Sequence, residues 1–256
     1  MSRRFAAAFI LFDVKKRNLP MRLIFIRHGD PDYAIDSLTE KGWKEAALLA
    51  KRTANWHVDH IYCSPLGRAR DTASKSLEKW GREAQICDWL QEFPARIADP
   101  KTGEPRIAWD LLPDIWTHDP LLFDHEKWMQ SALMTTGNVD AVYQNVCAGL
   151  DGLLADFGYH RTGNFYTFDE SKPDTLVFFC HMGITLALVA HLLNIAPTQL
   201  WHGMFLAPTS VTVLATEERK GKNAYFRMQV AGDTSHLRFE NEPVSKSGYF
   251  TDAFHG

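Results

Sequence analysis

An α/β fold with a mostly parallel central sheet is what this sequence predicts, and two observations predict it. The first is the order of patterns between Leu23 and Cys87, strand, helix, strand, helix, strand, which is how parallel strands joined by crossover helices read. The second is a pair of apolar runs, Leu23-Ile24-Phe25-Ile26 and Thr175-Leu176-Val177-Phe178-Phe179-Cys180. Their apolar residues are consecutive rather than alternating, as in strands covered on both faces. Each run ends in a histidine with a glycine close behind, Arg27-His28-Gly29 and His181-Met182-Gly183. In open α/β sheets ligands bind just outside the carboxyl ends of the strands.

Between those ends the elements follow in order. Thr39 is a good N-cap for a helix whose apolar face uses positions 43, 46–47, 49–50 and 54. Val58 to Cys63 reads as the second strand, and Ser64-Pro65-Leu66-Gly67-Arg68-Ala69-Arg70-Asp71-Thr72-Ala73 opens a helix running to about Trp80. Ala84 to Cys87 is a short third strand, left through Leu90-Gln91-Glu92-Phe93. From about 94 to 173 the periodicity breaks. Prolines at 94, 100, 105, 113, 120 and 173 and the tryptophans Trp109, Trp116 and Trp128 mark an insertion folded over the sheet, since a linker lacks so many large apolar residues. A helix from Val139 to Phe157 lies within it. After the strand at 175–180 come a helix from Ile184 to Leu193 and a hairpin, Ser210 to Thr216 with Tyr225 to Val230. The tail from Ala231 reads as polar and irregular; Gly232-Asp233-Thr234-Ser235-His236 would be a turn, or else a lid over the pocket.

Composition excludes several classes. A net charge of −3 over 256 residues gives no electrostatic case for nucleic acid or an anionic membrane. Four cysteines, Cys63, Cys87, Cys147 and Cys180, are spaced without a Cys-x-x-Cys pair, which fits a reducing cytoplasm better than a zinc knuckle or a disulfide framework. Arg3-Arg4 and the apolar run Phe5 to Phe12 resemble a leader, but Asp13-Val14-Lys15-Lys16-Arg17 follows where a small-residue cleavage site would stand. Residues 1–20 are expected to be an N-terminal extension outside the fold, with a single domain over 21–256.

If the strands are parallel, Arg27, His28, Arg68, Glu92 and His181 all reach one edge of the sheet. Two imidazoles, two guanidiniums and a carboxylate suit phosphoryl transfer, which needs positive charge around the transferred group, an in-line nucleophile and an acid for the leaving oxygen. Arg27-His28-Gly29, the Ser64–Ala73 segment, Leu90-Gln91-Glu92 and Cys180-His181-Met182-Gly183, in that order, resemble the motifs of the histidine phosphatase superfamily, the phosphoglycerate mutase-like fold. The resemblance implies a three-layer α/β/α sandwich with an inserted cap region, and a phosphomonoester hydrolase. It implies that His28 becomes a phosphohistidine, that Arg27, Arg68 and His181 clamp the phosphoryl oxygens beside Gly29, and that Glu92 serves as acid and then base. It implies no cofactor and no metal, the cationic side chains supplying the charge that Mg²⁺ supplies elsewhere.

Other readings stand beside these. Asp30 or Asp71 is an alternative acid. His57 and His60 read as surface histidines for want of a third ligand, and His191 as a packing or solvent-facing residue. The three tryptophans are core first and aromatic substrate wall second. Where the family commonly continues after its triplet with Glu and then Thr or Ser, this chain has Asp30-Pro31-Asp32-Tyr33. Pro31 removes a donor and Asp32 adds negative charge, which counts against a mutase that must hold a doubly phosphorylated intermediate. Tyr33 is a candidate to stack on or hydrogen-bond a substrate. The expected partner is a small-molecule phosphomonoester or a phosphopeptide, with a mutase and a non-catalytic phospholigand-binding protein as rival functions. Oligomeric state is left open.

Overall fold

The computed structural model describes residues 20–248; the extension expected over 1–20 lies, all but Pro20, outside the described residues. β1 (Arg22–Arg27) leads into a small ribbon, β2 (Pro31–Asp32) and β3 (Ser37–Leu38), followed by α1 (Glu40–Thr53), β4 (His60–Cys63), α2 (Gly67–Trp80) and β5 (Gln85–Ile86). A second ribbon, β6 (Arg96–Ala98) and β7 (Pro105–Ile107), continues through α3 (Pro113–Trp116) and three 3-10 turns to α4 (Val139–Asp156), β8 (Tyr159–Thr162) and β9 (Phe165–Phe168). Then come β10 (Thr175–Cys180), α5 (Met182–Leu193), α6 (Pro197–Gly203), β11 (Val211–Arg219), β12 (Asn223–Asp233) and α7 (Ser235–Arg238).

Eight strands form the central sheet in the order β5-β4-β10-β1-β11-β12-β9-β8. Its parallel character is concentrated in β5, β4, β10 and β1, while β1 to β8 on the other side pair antiparallel. The division follows from the connections. Helices α1 and α2 carry the chain from β1 to β4 and from β4 to β5, and short turns join β8 to β9 and β11 to β12, the latter at Gly221 and Lys222 where φ is 85° and 59°.

The consecutive apolar residues of β1 serve two cores, because side chains alternate across a strand. Ile24 and Ile26 face Leu49 of α1 and Ala69 and Ala73 of α2. Leu23 and Phe25 face the other way, into a larger core with Leu150 and Leu154 of α4 and Ile184 and Leu188 of α5. The molecule is therefore layered helix, sheet, helix. Trp128 is fully buried there, edge-on to Tyr143 and Trp201 at 5.0 and 5.6 Å between ring centroids. Trp116 instead stacks on His202.

The tail differs from its expected irregular course. β12 runs on to Asp233, which pairs with Val211 past a bulge, and Arg52 of α1 grips the Asp233 carboxylate at 2.5 Å. The 232–236 segment is thus a strand end and the start of α7, which packs on α1. Farther on, Glu242 bridges Lys41 and Lys44, and Ser245 donates to the Asp30 carboxylate. No helix among the described residues is long and apolar enough to cross a membrane.

α1 presses end-on against the loop that follows β1. Thr39 caps it, its hydroxyl accepting the Gly42 N–H at 3.1 Å. A Cβ on Gly29 would stand 2.8 Å from the Gly42 carbonyl oxygen, and one on Gly42 only 2.2 Å from that of Asp30. One turn later Glu45, with no exposed surface, accepts the Asp30 N–H at 2.8 Å. Burial is the main cause that raises its pKa from 4.5 to about 7.

A carboxyl whose folded pKa lies above its unfolded value opposes folding once ionised. The penalty is absent below the unfolded pKa of 4.5, grows as pH rises toward 7, and is constant above. Urea unfolding at about pH 5 and about pH 8 is expected to show Glu45→Gln losing a stability decline of about 2.5 kcal/mol that the parent chain shows over this interval. An equal decline in the variant would count against an ionising Glu45.

Candidate active site

β1 and β10 are parallel neighbours with Arg27 opposite Cys180, so the residues that leave the two strands, His28 and His181, emerge side by side. The His28 N–H donates to the Cys180 carbonyl at 3.0 Å, and the two imidazole centroids are 5.1 Å apart. Both rings are buried.

Their tautomers follow from their partners. His28 Nδ1 lies 2.7 Å from the Gly29 carbonyl oxygen. A carbonyl can only accept, so Nδ1 carries the proton and Nε2 the lone pair. His181 Nε2 lies 2.8 Å from the Ser64 hydroxyl, which itself accepts the Leu66 N–H. When the hydroxyl donates to Nε2, His181 Nδ1 carries the N–H. Burial, aided by the guanidiniums of Arg27 and Arg68, pushes both imidazole pKa values well below the usual 6.5. Both rings are neutral, and the lone pair on His28 Nε2 is available for attack on an electrophile.

The two arginines flank the rings. Arg27 donates from Nη1 to the Leu206 carbonyl at 2.6 Å and lies over the Phe205 ring. Arg68, on the first turn of α2, donates from Nη1 to Asp36 at 2.5 Å. Asp36 also accepts the Gly67 N–H at 2.7 Å, from a left-handed backbone with φ of 50°. A Cβ at Gly67 would fall 2.0 Å from the Asp36 carbonyl oxygen, so only glycine admits this loop-to-helix approach. Thr72, one turn along α2, accepts the Gly29 N–H at 2.9 Å. Thr209, at φ of 55°, gives its own N–H to the carbonyls of Arg27 and His28.

Glu92 completes the group. Its Oε1 accepts the N–H groups of Phe93 at 2.9 Å and Ile184 at 3.0 Å, the latter in the first turn of α5. Loss of water around the carboxyl outweighs those hydrogen bonds and the nearby Arg27, and raises its pKa. Gly183 makes this approach possible, because a Cβ there would be 2.7 Å from Oε1 and 3.2 Å from the Trp109 ring.

Three buried nitrogens here have no partner in the protein: Nε of Arg27, Nε of Arg68 and Nδ1 of His181. Buried polar atoms are otherwise nearly always paired. Three of them together with a helix N-terminus suit a multiply charged oxyanion.

The alternatives go elsewhere. Asp30 accepts from Thr39 at 2.6 Å and from Ser245, and Asp71 accepts from Ser37 at 2.5 Å. His57 and His60 pair with Asp59 and Asp174, while His191 binds both oxygens of Asp151. Asp36 and Thr209 were not singled out from the sequence. Neither belongs to an element whose pattern signals contact with the strand ends.

Adenosylcobalamin/α-ribazole phosphatase of Salmonella typhi is 28% identical over 194 residues, spanning 71% of this chain and 84% of that protein. Phosphoserine phosphatase of Entamoeba histolytica has a similar solved structure, with a TM-score of 0.54 at 22% identity over 85% of this chain and 99% of that one. Mycobacterial glucosyl-3-phosphoglycerate phosphatase gives the same score and identity over 82% and 98%. At such identity the two structures speak for the fold alone. The profile of the histidine phosphatase superfamily (branch 1) matches residues 23–152, just over half the chain and inclusive of His28, Arg68 and Glu92. This chain therefore belongs to the histidine phosphatase superfamily.

Proposed function

We propose that the protein is a phosphomonoester hydrolase that works through a phosphohistidine on His28. The observation that carries this is the set of three unpartnered buried nitrogens, on Arg27, Arg68 and His181, beside a neutral imidazole whose lone pair is on Nε2. Arg27, Arg68 and His181 hold the phosphoryl oxygens, and Gly29 lets the loop pass close to them. His28 Nε2 attacks phosphorus; the N–P bond forms as the ester P–O bond breaks, and the departing alkoxide takes the proton of Glu92. In the second half, Glu92 removes a proton from water. The water oxygen bonds to phosphorus, the N–P bond breaks, and inorganic phosphate leaves with His28 restored. Because Oε1 of Glu92 is spent on α5, Oε2 carries the travelling proton. Charge on the transition state is offset by the guanidiniums and the α5 terminus.

The names of the similar proteins support small phosphorylated substrates, among them phosphoserine and glucosyl-3-phosphoglycerate. Of the expected cap over residues 94–173, α4, β8 and β9 join the core and the central sheet, while the stretch before α4 supports selection among such substrates, with Trp109 its contribution beside the site. Four buried cysteines, none in a disulfide, support a reducing compartment such as the cytoplasm.

Hydrolysis of p-nitrophenyl phosphate in excess chelator is expected to continue unabated and to vanish in His28→Ala. Loss of turnover on chelation would overturn the metal-independent route, and phosphate passing to an added alcohol rather than to water would favour a mutase. Glu92→Gln is expected to cut kcat/KM roughly 10²- to 10⁴-fold on an alkyl phosphate and far less on a nitrophenyl ester, whose leaving group needs no proton. Equal losses on both would remove Glu92 as the acid. His28 attacks in its neutral form, present above its depressed pKa, and Glu92 donates in its protonated form, present below its raised one. A pH–rate profile should be bell-shaped between the two and lose its alkaline limb in Glu92→Gln.

A further inference from the structure

At the mouth of the site, the tip between β2 and β3 holds two large apolar side chains out in solvent, Tyr33 at 66% exposure and Ile35 at 70%. Such exposure is unusual beside a charged floor, and the tip is not loose. Asp36 pins its far end to Gly67 and Arg68, and the β2–β3 ribbon holds the near end. The Tyr33 ring lies with the Arg68 guanidinium carbon 5.4 Å from its centroid, and its hydroxyl faces the Arg27 guanidinium as an acceptor. One ring thus spans both guanidiniums while its outer face stays open.

The other walls are aromatic as well. Phe205 lies under the Arg27 guanidinium at 5.6 Å, and Trp109 packs against Gly183. The tip itself carries carboxylates, Asp32 next to Tyr33 and Asp36, the latter bound to Arg68. Arg106, three residues before Trp109, is already bound to Asp99 at 2.9 Å. A second anionic group on a substrate would meet carboxylates and aromatic faces. An uncharged flat group would stack on Tyr33.

We propose that Tyr33 determines the substrate class: phosphomonoesters of uncharged alcohols that carry an aromatic or similarly flat apolar group, in preference to those bearing a carboxylate or a second phosphate. This rests on the phosphomonoesterase reading above. Tyr33 touches the part of the substrate that leaves, and the arginines beneath it touch the part that is transferred. The two selections are separate, and one can be removed without the other.

The test compares kcat/KM for benzyl phosphate, phosphoserine and 3-phosphoglycerate in the parent chain, Tyr33→Phe and Tyr33→Ala, with p-nitrophenyl phosphate as the reference ester. Benzyl phosphate is expected to be favoured roughly tenfold or more over both anionic substrates. The preference is expected to persist in Tyr33→Phe and to disappear in Tyr33→Ala through a rise in KM for benzyl phosphate. Phosphoserine or 3-phosphoglycerate turned over as well as benzyl phosphate would overturn the proposal and leave the hydrolase intact, as would a preference untouched by Tyr33→Ala. Failure of the parent chain to hydrolyse even p-nitrophenyl phosphate would instead overturn the hydrolase reading, and this proposal with it.

Discussion

The parallel register of β1 against β10, with Arg27 across from Cys180, is the constraint on which the rest of the site depends. It brings two imidazoles from positions 153 residues apart (181 − 28) within one ring's width of each other. A slip of one residue would turn every side chain of β1 to the opposite face of the sheet. Ile24 and Ile26 would exchange cores with Leu23 and Phe25, and His28 would leave His181. Packing on both faces therefore guards the chemistry, because the register that fills the two cores is the one that aligns the rings.

The second constraint is electrostatic. Two guanidiniums and two imidazoles crowd a space with little water, and such a group is tolerable only if the imidazoles give up their charge. They do so, while each arginine is anchored, Arg27 on the Leu206 carbonyl and Arg68 on Asp36. Their Nε groups and His181 Nδ1 remain without protein partners. Unmet buried donors cost on the order of 1–3 kcal/mol each. Trp128 Nε1 in the core is unmet as well, but three such nitrogens gather at the strand ends, where an oxyanion could offset the cost. Local rules of polar satisfaction are broken at working sites more than anywhere else.

What could be read from the sequence was whatever follows from strand ends. Consecutive apolar residues marked β1 and β10 as buried on both faces, and that alone sent His28 and His181 to one edge. Arg68 and Glu92 followed because each stands just beyond a strand of the same parallel set. Legibility ended where position depends on contacts remote in sequence. Nothing near Asp36 shows that it binds Arg68, thirty-two residues on (68 − 36). The course of the tail was likewise hidden, since Asp233 stays in β12 through an arginine on α1. Polar composition suggested irregular chain there, and an ion pair between distant segments prevailed. Trp128 and Trp109 look alike in sequence, yet one is sealed in the core and the other stands beside Gly183, a distinction set by the fold around them.

Gly29 and Gly42 meet backbone to backbone, with no room for a methyl group on either. They come from different elements, the loop after β1 and the first turn of α1, so neither is fixed by its own local conformation. The contact makes them a single unit of inheritance. A substitution at one cannot be rescued by a change at the other, because both have already reached the smallest residue there is. Any lineage that drifts at either position must move α1 bodily away from the loop, and the Glu45 bond to the Asp30 N–H goes with it. Divergence in this part of the molecule is therefore expected to proceed by shifts of a whole helix, with side-chain exchange confined to its outer face.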